Sequence, residues 1–127
     1  MNNRSFATAI NCMDGRTQLP VIEWVKHEHG VDYVDNVTEP GPVRILAEAT
    51  DTYAIGSIKH RVEISVKRHG SALVAIVAHA DCAGNPVDKR TQLEQLRAAE
   101  ATVRSWGMDV GLNLLWLGDN WQVERIG

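Results

Sequence analysis

Cysteine is scarce in this 127-residue chain, which carries only Cys12 and Cys82. Two thiols are too few for the disulfide framework of a small secreted domain, and in a reducing compartment such a pair more often serves a metal or catalysis. An excess of positive charge is missing too: 13 Lys and Arg against 16 Asp and Glu leave a net charge of -3. That balance offers no basic footprint for nucleic acid or for an anionic membrane surface. No apolar run approaches the roughly 20 residues needed to cross a bilayer, and "MNNRSFATAI" lacks the apolar centre of a signal peptide. Nor is there a G-x-G-x-x-G or G-x-x-x-x-G-K pattern to cradle a phosphate, an internal repeat, or a low-complexity tract. The expectation is a cytoplasmic protein whose partner is a small molecule or another copy of itself, with no nucleic acid and no membrane.

What is present fits one domain spanning residues 1–127, long enough to bury a core. "SFATAI" is a short β-rich run, and Val31 to Val37, "VDYVDNV", alternates like a strand with one exposed face. Between them "TQLPVIEWVKHEHG" has helix features, with Thr17 as N-cap, Pro20 early and Gly30 at the stop. After a Pro/Gly loop at "TEPGPV", Ile55, Ile58, Val62 and Val66 recur at helical spacing and predict a helix from about Thr50 to His69, with Gly70 closing it. "ALVAIVAH", Ala72 to His79, is continuously apolar, as in a strand buried on both faces of a parallel sheet. A further amphipathic helix covers about Asp88 to Trp106, with Leu93, Leu96, Ala99, Val103 and Trp106 on its apolar stripe and Gly107 after it. "VGLNLLWL", a turn at "GDN", and "WQVERI" read as a β-hairpin. Alternating strands and helices predict an α/β fold of three layers, α-β-α: a mostly parallel central sheet with an antiparallel C-terminal edge strand.

In such sheets ligands sit beyond the carboxyl ends of the strands, where the strand order reverses. Two loops at such ends stand out, "NCMDGR" after the first strand and "AHADCAG" after the apolar one. If those strands are adjacent and parallel, Cys12, His79 and Cys82 converge. Two thiolates and an imidazole suit a borderline-soft divalent cation, Zn²⁺ first among them. Three protein ligands leave a fourth position for water, which the cation makes acidic enough to supply hydroxide near neutral pH. Because two thiolates cancel the cation's charge, activity should rise towards alkaline pH. Period-two spacing places Cys12, Asp14 and Arg16 on one side if the backbone stays extended. Asp14 would then accept a hydrogen bond from that hydroxide while the Arg16 fork fixes the carboxylate. The same Asp14 could instead swing in as a fourth ligand and shut the site; the sequence is compatible with both.

Cys-x-Asp-x-Arg in "CMDGR" followed by His-x-x-Cys in "HADC" resembles the β-class carbonic anhydrases, and the order of elements from Phe6 to Ile126 is similar to theirs. The resemblance implies zinc held by Cys12, His79 and Cys82, an Asp14–Arg16 dyad, a homodimer or higher homo-oligomer, and reversible hydration of carbon dioxide to bicarbonate. Relatives on that scaffold act on carbonyl sulfide or carbon disulfide, and a non-catalytic zinc-binding form is a further reading. Two departures stand beside it. Family members usually open with helices that embrace the partner subunit, whereas here a strand comes almost first. An Arg-Asn-Ala-Gly type segment after their second strand is replaced by "DNVTEPGP".

Other residues take plainer readings. A redox pair of Cys12 and Cys82 is disfavoured by the neighbouring His79. His27, His29, His60 and His69 read as solvated surface, since His27 and His29 do not share a helix face. Trp24, Trp106, Trp116 and Trp121 read as core or interface packing. Asp81 reads as a turn residue, as do Gly41, Gly84 and Gly118.

Overall fold

The computed structural model describes residues 5–127. Five strands, β1 (Phe6–Cys12), β2 (Tyr33–Glu39), β3 (Leu73–His79), β4 (Gly111–Leu117) and β5 (Val123–Arg125), form one sheet in the order β2-β1-β3-β4-β5. The first four are mutually parallel and β5 runs antiparallel to β4. Four helices connect them: α1 (Gly15–His29), the pair α2 (Pro42–Glu48) and α3 (Thr52–Lys67), and α4 (Lys89–Arg104). The expected α/β class, the parallel centre and the antiparallel edge are all present.

Alternation along β1 shows why the sheet needs helices on both faces. Ala7 and Ala9 pack with Val21 and Val25 of α1. Ile10 points the other way, into a core with Leu46 of α2, Ile58 and Val62 of α3, and Leu96, Ala99 and Val103 of α4. Strand β3 is buried from Val74 to His79, matching its continuous apolar run. Three buried hydroxyls between the layers pair with one another: Thr8 Oγ1 lies 2.6 Å from Ser65 Oγ and donates to Ser71 Oγ at 2.9 Å, pinning α3 to β1.

Strand β2 lies two residues later than the expected Val31 to Val37, α3 and α4 are each one or two residues shorter at both ends, and two larger differences bear on the site. Part of the expected Pro/Gly loop folds as α2, a seven-residue helix with Pro42 in its first turn and Ala49, at φ 55°, ending it. So short a helix shows too few turns for a periodic signal. Helix α1 begins at Gly15, with Asp14 rather than Thr17 as its N-cap, and Thr17 is instead buried.

The connections from β1 to β2 and from β3 to β4 run to opposite sides of the β1/β3 pair, so the strand order reverses between β1 and β3. Their carboxyl ends form the crevice that parallel sheets offer to ligands. Both motif loops open there.

Candidate metal centre

Strand β1 delivers Cys12 at its last position and β3 delivers His79 at its last position, while Cys82 follows in the turn before α4. The ligand atoms of these three side chains all lie within 4.8 Å of one another, and the two Sγ atoms are 3.9 Å apart. All three residues are buried, His79 to 1% exposure. Among the described residues this is the one cluster of His, Cys or carboxylate groups compact enough to hold a cation.

The imidazole decides what the cluster is suited for. His79 Nδ1–H donates to the Ala80 carbonyl at 2.7 Å, which fixes the ring and leaves Nε2 as the remaining nitrogen. Nε2 is buried and has no hydrogen-bond partner among the described residues. A buried nitrogen beside two sulfurs, its ring steadied by a backbone carbonyl on the far side, is how histidine is held ready for a metal. The donor set of two sulfurs and one nitrogen fits zinc. Backbone ties support the ligands: Gln92 Nε2, on α4, donates to the His79 carbonyl at 2.8 Å, and Gln18 Nε2, on α1, donates to the Cys12 carbonyl at 2.6 Å.

The two thiols are not equivalent. Burial pushes the Cys12 thiol up, but the His79 side chain and the backbone amides of Gly41 and Asp14 outweigh it and bring Cys12 down to about 7. Burial, with the Cys12 charge nearby, pushes Cys82 up to about 11. Cys12 is therefore the thiol that ionises more readily, and Cys82 would have to give up a proton to hold a cation.

Asp14 and Arg16 meet in a way that period-two spacing misses. The backbone does not stay extended past Cys12, because α1 begins at Gly15; Asp14 folds back as N-cap and accepts the Arg16 amide at 2.9 Å. The Arg16 fork closes on the same carboxylate, Nε donating to Oδ1 at 3.1 Å and Nη2 to Oδ2 at 2.7 Å. Hydrogen bonding to the Arg16 side chain is the main reason the Asp14 carboxyl falls to about 2. Both oxygens of Asp14 are thus engaged by Arg16, and Asp14 stands outside the Cys12, His79 and Cys82 cluster.

Sequence reasoning missed two neighbours. Trp121, read as packing, lies with its ring 4.2 Å from the Arg16 guanidinium carbon and 5.8 Å, centroid to centroid, from the His79 ring. Asp81 does sit in a turn, at φ 55°, but its Oδ2 also accepts Arg16 Nη1 at 3.3 Å and its carbonyl accepts Nη2 at 3.2 Å. Nothing in the local pattern of "GDNW" or "HADC" signals either contact, since each joins loops from different elements. His27, His29, His60 and His69 are all exposed, as expected, though two of them also have a side-chain partner: His29 Nε2 lies 2.7 Å from Asn113 Oδ1, and His69 Nδ1 lies 2.7 Å from Asp35 Oδ2.

A family model described as "Putative carbonic anhydrase" matches residues 2–127. The chain belongs to this family. Solved structures with the same fold include three carbonic anhydrases. That of Streptococcus mutans is 16% identical, with a TM-score of 0.53 over 95% of this chain and 81% of the other. That of Glaciozyma antarctica is 10% identical, with a TM-score of 0.57 over 95% and 81%. The β-carbonic anhydrase CafA of Aspergillus fumigatus is 13% identical, with a TM-score of 0.53 over 97% and 75%. No curated protein matches the chain. At these identities the likeness carries the β-carbonic anhydrase fold and no more.

The segment that departs from the family pattern, "DNVTEPGP", touches the ligand loops directly. Met13 N donates to the Glu39 carbonyl at 3.0 Å, tying the end of β2 to the residue after Cys12. Gly41, at φ 61°, and Gly84, two residues past Cys82, meet so closely that a Cβ on Gly84 would come within 2.7 Å of the Pro40 carbonyl carbon. Both glycines are needed for this approach rather than for a turn alone.

Proposed function

We propose that this protein is a zinc-dependent carbonic anhydrase that hydrates carbon dioxide reversibly to bicarbonate. The observation that carries this is the buried, unpartnered Nε2 of His79 set among Cys12 and Cys82 sulfurs, with Asp14 held off the cluster by Arg16. Cys12, His79 and Cys82 would hold the zinc. When bound, the cation supplies Lewis-acid activation of water, the chemistry that makes a nucleophile for an electrophilic carbon near neutral pH.

The chain's own residues then direct that nucleophile. A carboxylate held near a pKa of 2 stays ionised, so Asp14 can only accept a hydrogen bond. A hydroxyl group facing it must turn its hydrogen to Asp14 and its lone pair elsewhere. Arg16 keeps that acceptor in place and charged. Two thiolates offset the charge of a divalent cation, so the rate should rise towards alkaline pH. A reducing, cytoplasmic setting suits two free cysteines. No helix of the described residues is long and apolar enough to cross a membrane. Assembly as a homodimer belongs to the same proposal, with Met13 at 63% and Leu19 at 67% exposure giving apolar surface beside the site for a second copy.

Stopped-flow hydration of carbon dioxide from about pH 7 to 9 tests the activity. Zinc-loaded protein is expected to exceed the buffer rate, more so at higher pH. Cys12→Ser should lose zinc and rate together, and Asp14→Ala should keep zinc while losing about tenfold or more in rate. A fully zinc-loaded protein with no rate above buffer overturns the proposal, and carbonyl sulfide and carbon disulfide are then the substrates to try.

A further inference from the structure

Three non-glycine residues among those described adopt a left-handed backbone: Ala49, Asp81 and Trp121. Ala49 ends α2, as such residues commonly do. The other two, from separate loops, touch the same guanidinium. A tryptophan in this conformation is uncommon and persists where its surroundings hold it, which makes the coincidence informative.

We propose that Asp81 and Trp121 are positioning residues that clamp Arg16 and, through it, keep the Asp14 carboxylate off the Cys12, His79 and Cys82 cluster. The inference rests on the zinc-site reading above. Arg16 is 46% exposed at its side chain, so Asp14 alone would leave one face and one edge of the guanidinium free. Asp81 takes that edge, through Oδ2 to Nη1 and through its carbonyl to Nη2. Trp121 covers the face at 4.2 Å, a cation–π contact. The indole is shared, since it also lies against the His79 ring at an interplanar angle of 46°. The turn that presents it is closed by Trp121 N–H donating to the Gly118 carbonyl at 3.0 Å.

Three elements thus converge: Arg16 from the first turn of α1, Asp81 from the loop after β3, and Trp121 from the turn between β4 and β5. Their combined effect is directional. Asp14 follows Cys12 by two residues, and a carboxylate is itself a good zinc ligand. What keeps it turned away is the fork on Arg16, and what keeps the fork still is the clamp. Loosening Asp81 or Trp121 therefore shifts Asp14 towards the cation without touching a ligand.

Two readouts test this on the full chain, using Trp121→Leu, Trp121→Phe and Asp81→Ala. In metal-free protein, the ¹H–¹⁵N signal of Arg16 Nε–H should be shifted by the indole ring current and exchange slowly. Trp121→Leu should lose that shift, Trp121→Phe should keep part of it, and both Trp121→Leu and Asp81→Ala should exchange about tenfold faster or more. In Co²⁺-loaded protein, Asp14→Asn should leave the wild-type visible spectrum unchanged. In Asp81→Ala or Trp121→Leu the spectrum should change, and adding Asp14→Asn should restore it. Arg16 exchange and cobalt spectra identical to wild type in these variants would overturn the clamp. Failure to bind cobalt would instead sink the metal reading, while the metal-free Arg16 signal still decides the clamp. Asp81, 79% exposed at its side chain, provides a variant that keeps the core if Trp121→Leu does not fold.

Discussion

Asp14 shows how much a single cap can do. The same carboxylate starts α1, captures Arg16 and stays charged, so one residue sets both helix geometry and site electrostatics. Its carboxyl lies at about 2 instead of the ordinary 3.8, chiefly because Arg16 hydrogen-bonds the ionised form. A depressed carboxyl stabilises the fold above its ordinary value, and that contribution is lost as pH falls through the folded value. The window is therefore from about 4 down to about 2. Carboxyl ¹³C titration should place Asp14 near 2 in wild type and near its ordinary value in Arg16→Leu; equal titrations in both would contradict the assigned cause. Cys82 provides a second residue-level prediction. With its thiol pushed up to about 11, zinc uptake at neutral pH must expel that proton. Calorimetry in buffers of different ionisation enthalpy should record at least one proton released per ion, with apparent affinity rising with pH. Uptake without proton release would mean that Cys82 is not a ligand.

At the level of elements, the legible parts were those whose signal is local and periodic. Val74 to His79 showed itself as a buried strand by unbroken apolarity, and Ile58, Val62, Leu96, Ala99 and Val103 marked the buried faces of α3 and α4. Cys12, His79 and Cys82 were legible because strand ends at a topological switch must converge. Helix α2 was not, being two turns long behind a Pro-Gly pair. Arg16 reached Asp14 by helical capping rather than by extension, and Trp121 and Asp81 reached Arg16 only through tertiary folding. The packing of Gly41 on Gly84 is of the same non-local kind and makes its own prediction. In Gly84→Ala the new Cβ would meet Pro40 backbone at 2.7 to 2.9 Å, so the "EPGP" and "DCAG" loops must part. The variant should lose about 1–3 kcal/mol in denaturant unfolding and about tenfold or more in zinc affinity by chelator competition. Unchanged affinity would show that the two loops do not support each other at the metal.

Across the whole molecule, a parallel sheet with helices on both faces brings two distant loops to one buried point and leaves Met13 and Leu19 exposed at its margin. If a second copy covers that margin, sedimentation equilibrium should report a dimer, and Leu19→Lys should shift it towards monomer; a monomer at all concentrations would contradict the assembly. The carbonic anhydrase family and fold place the chain at a coarse level. What the specific account depends on is the metal. X-ray absorption at the zinc edge of reconstituted protein tests it most directly. One zinc per chain with two sulfurs at about 2.3 Å and nitrogen or oxygen at about 2.0 Å is the predicted first shell, with both sulfurs replaced in a Cys12→Ser, Cys82→Ser double variant. A sulfur-free shell, or a chain that retains no zinc, would contradict it.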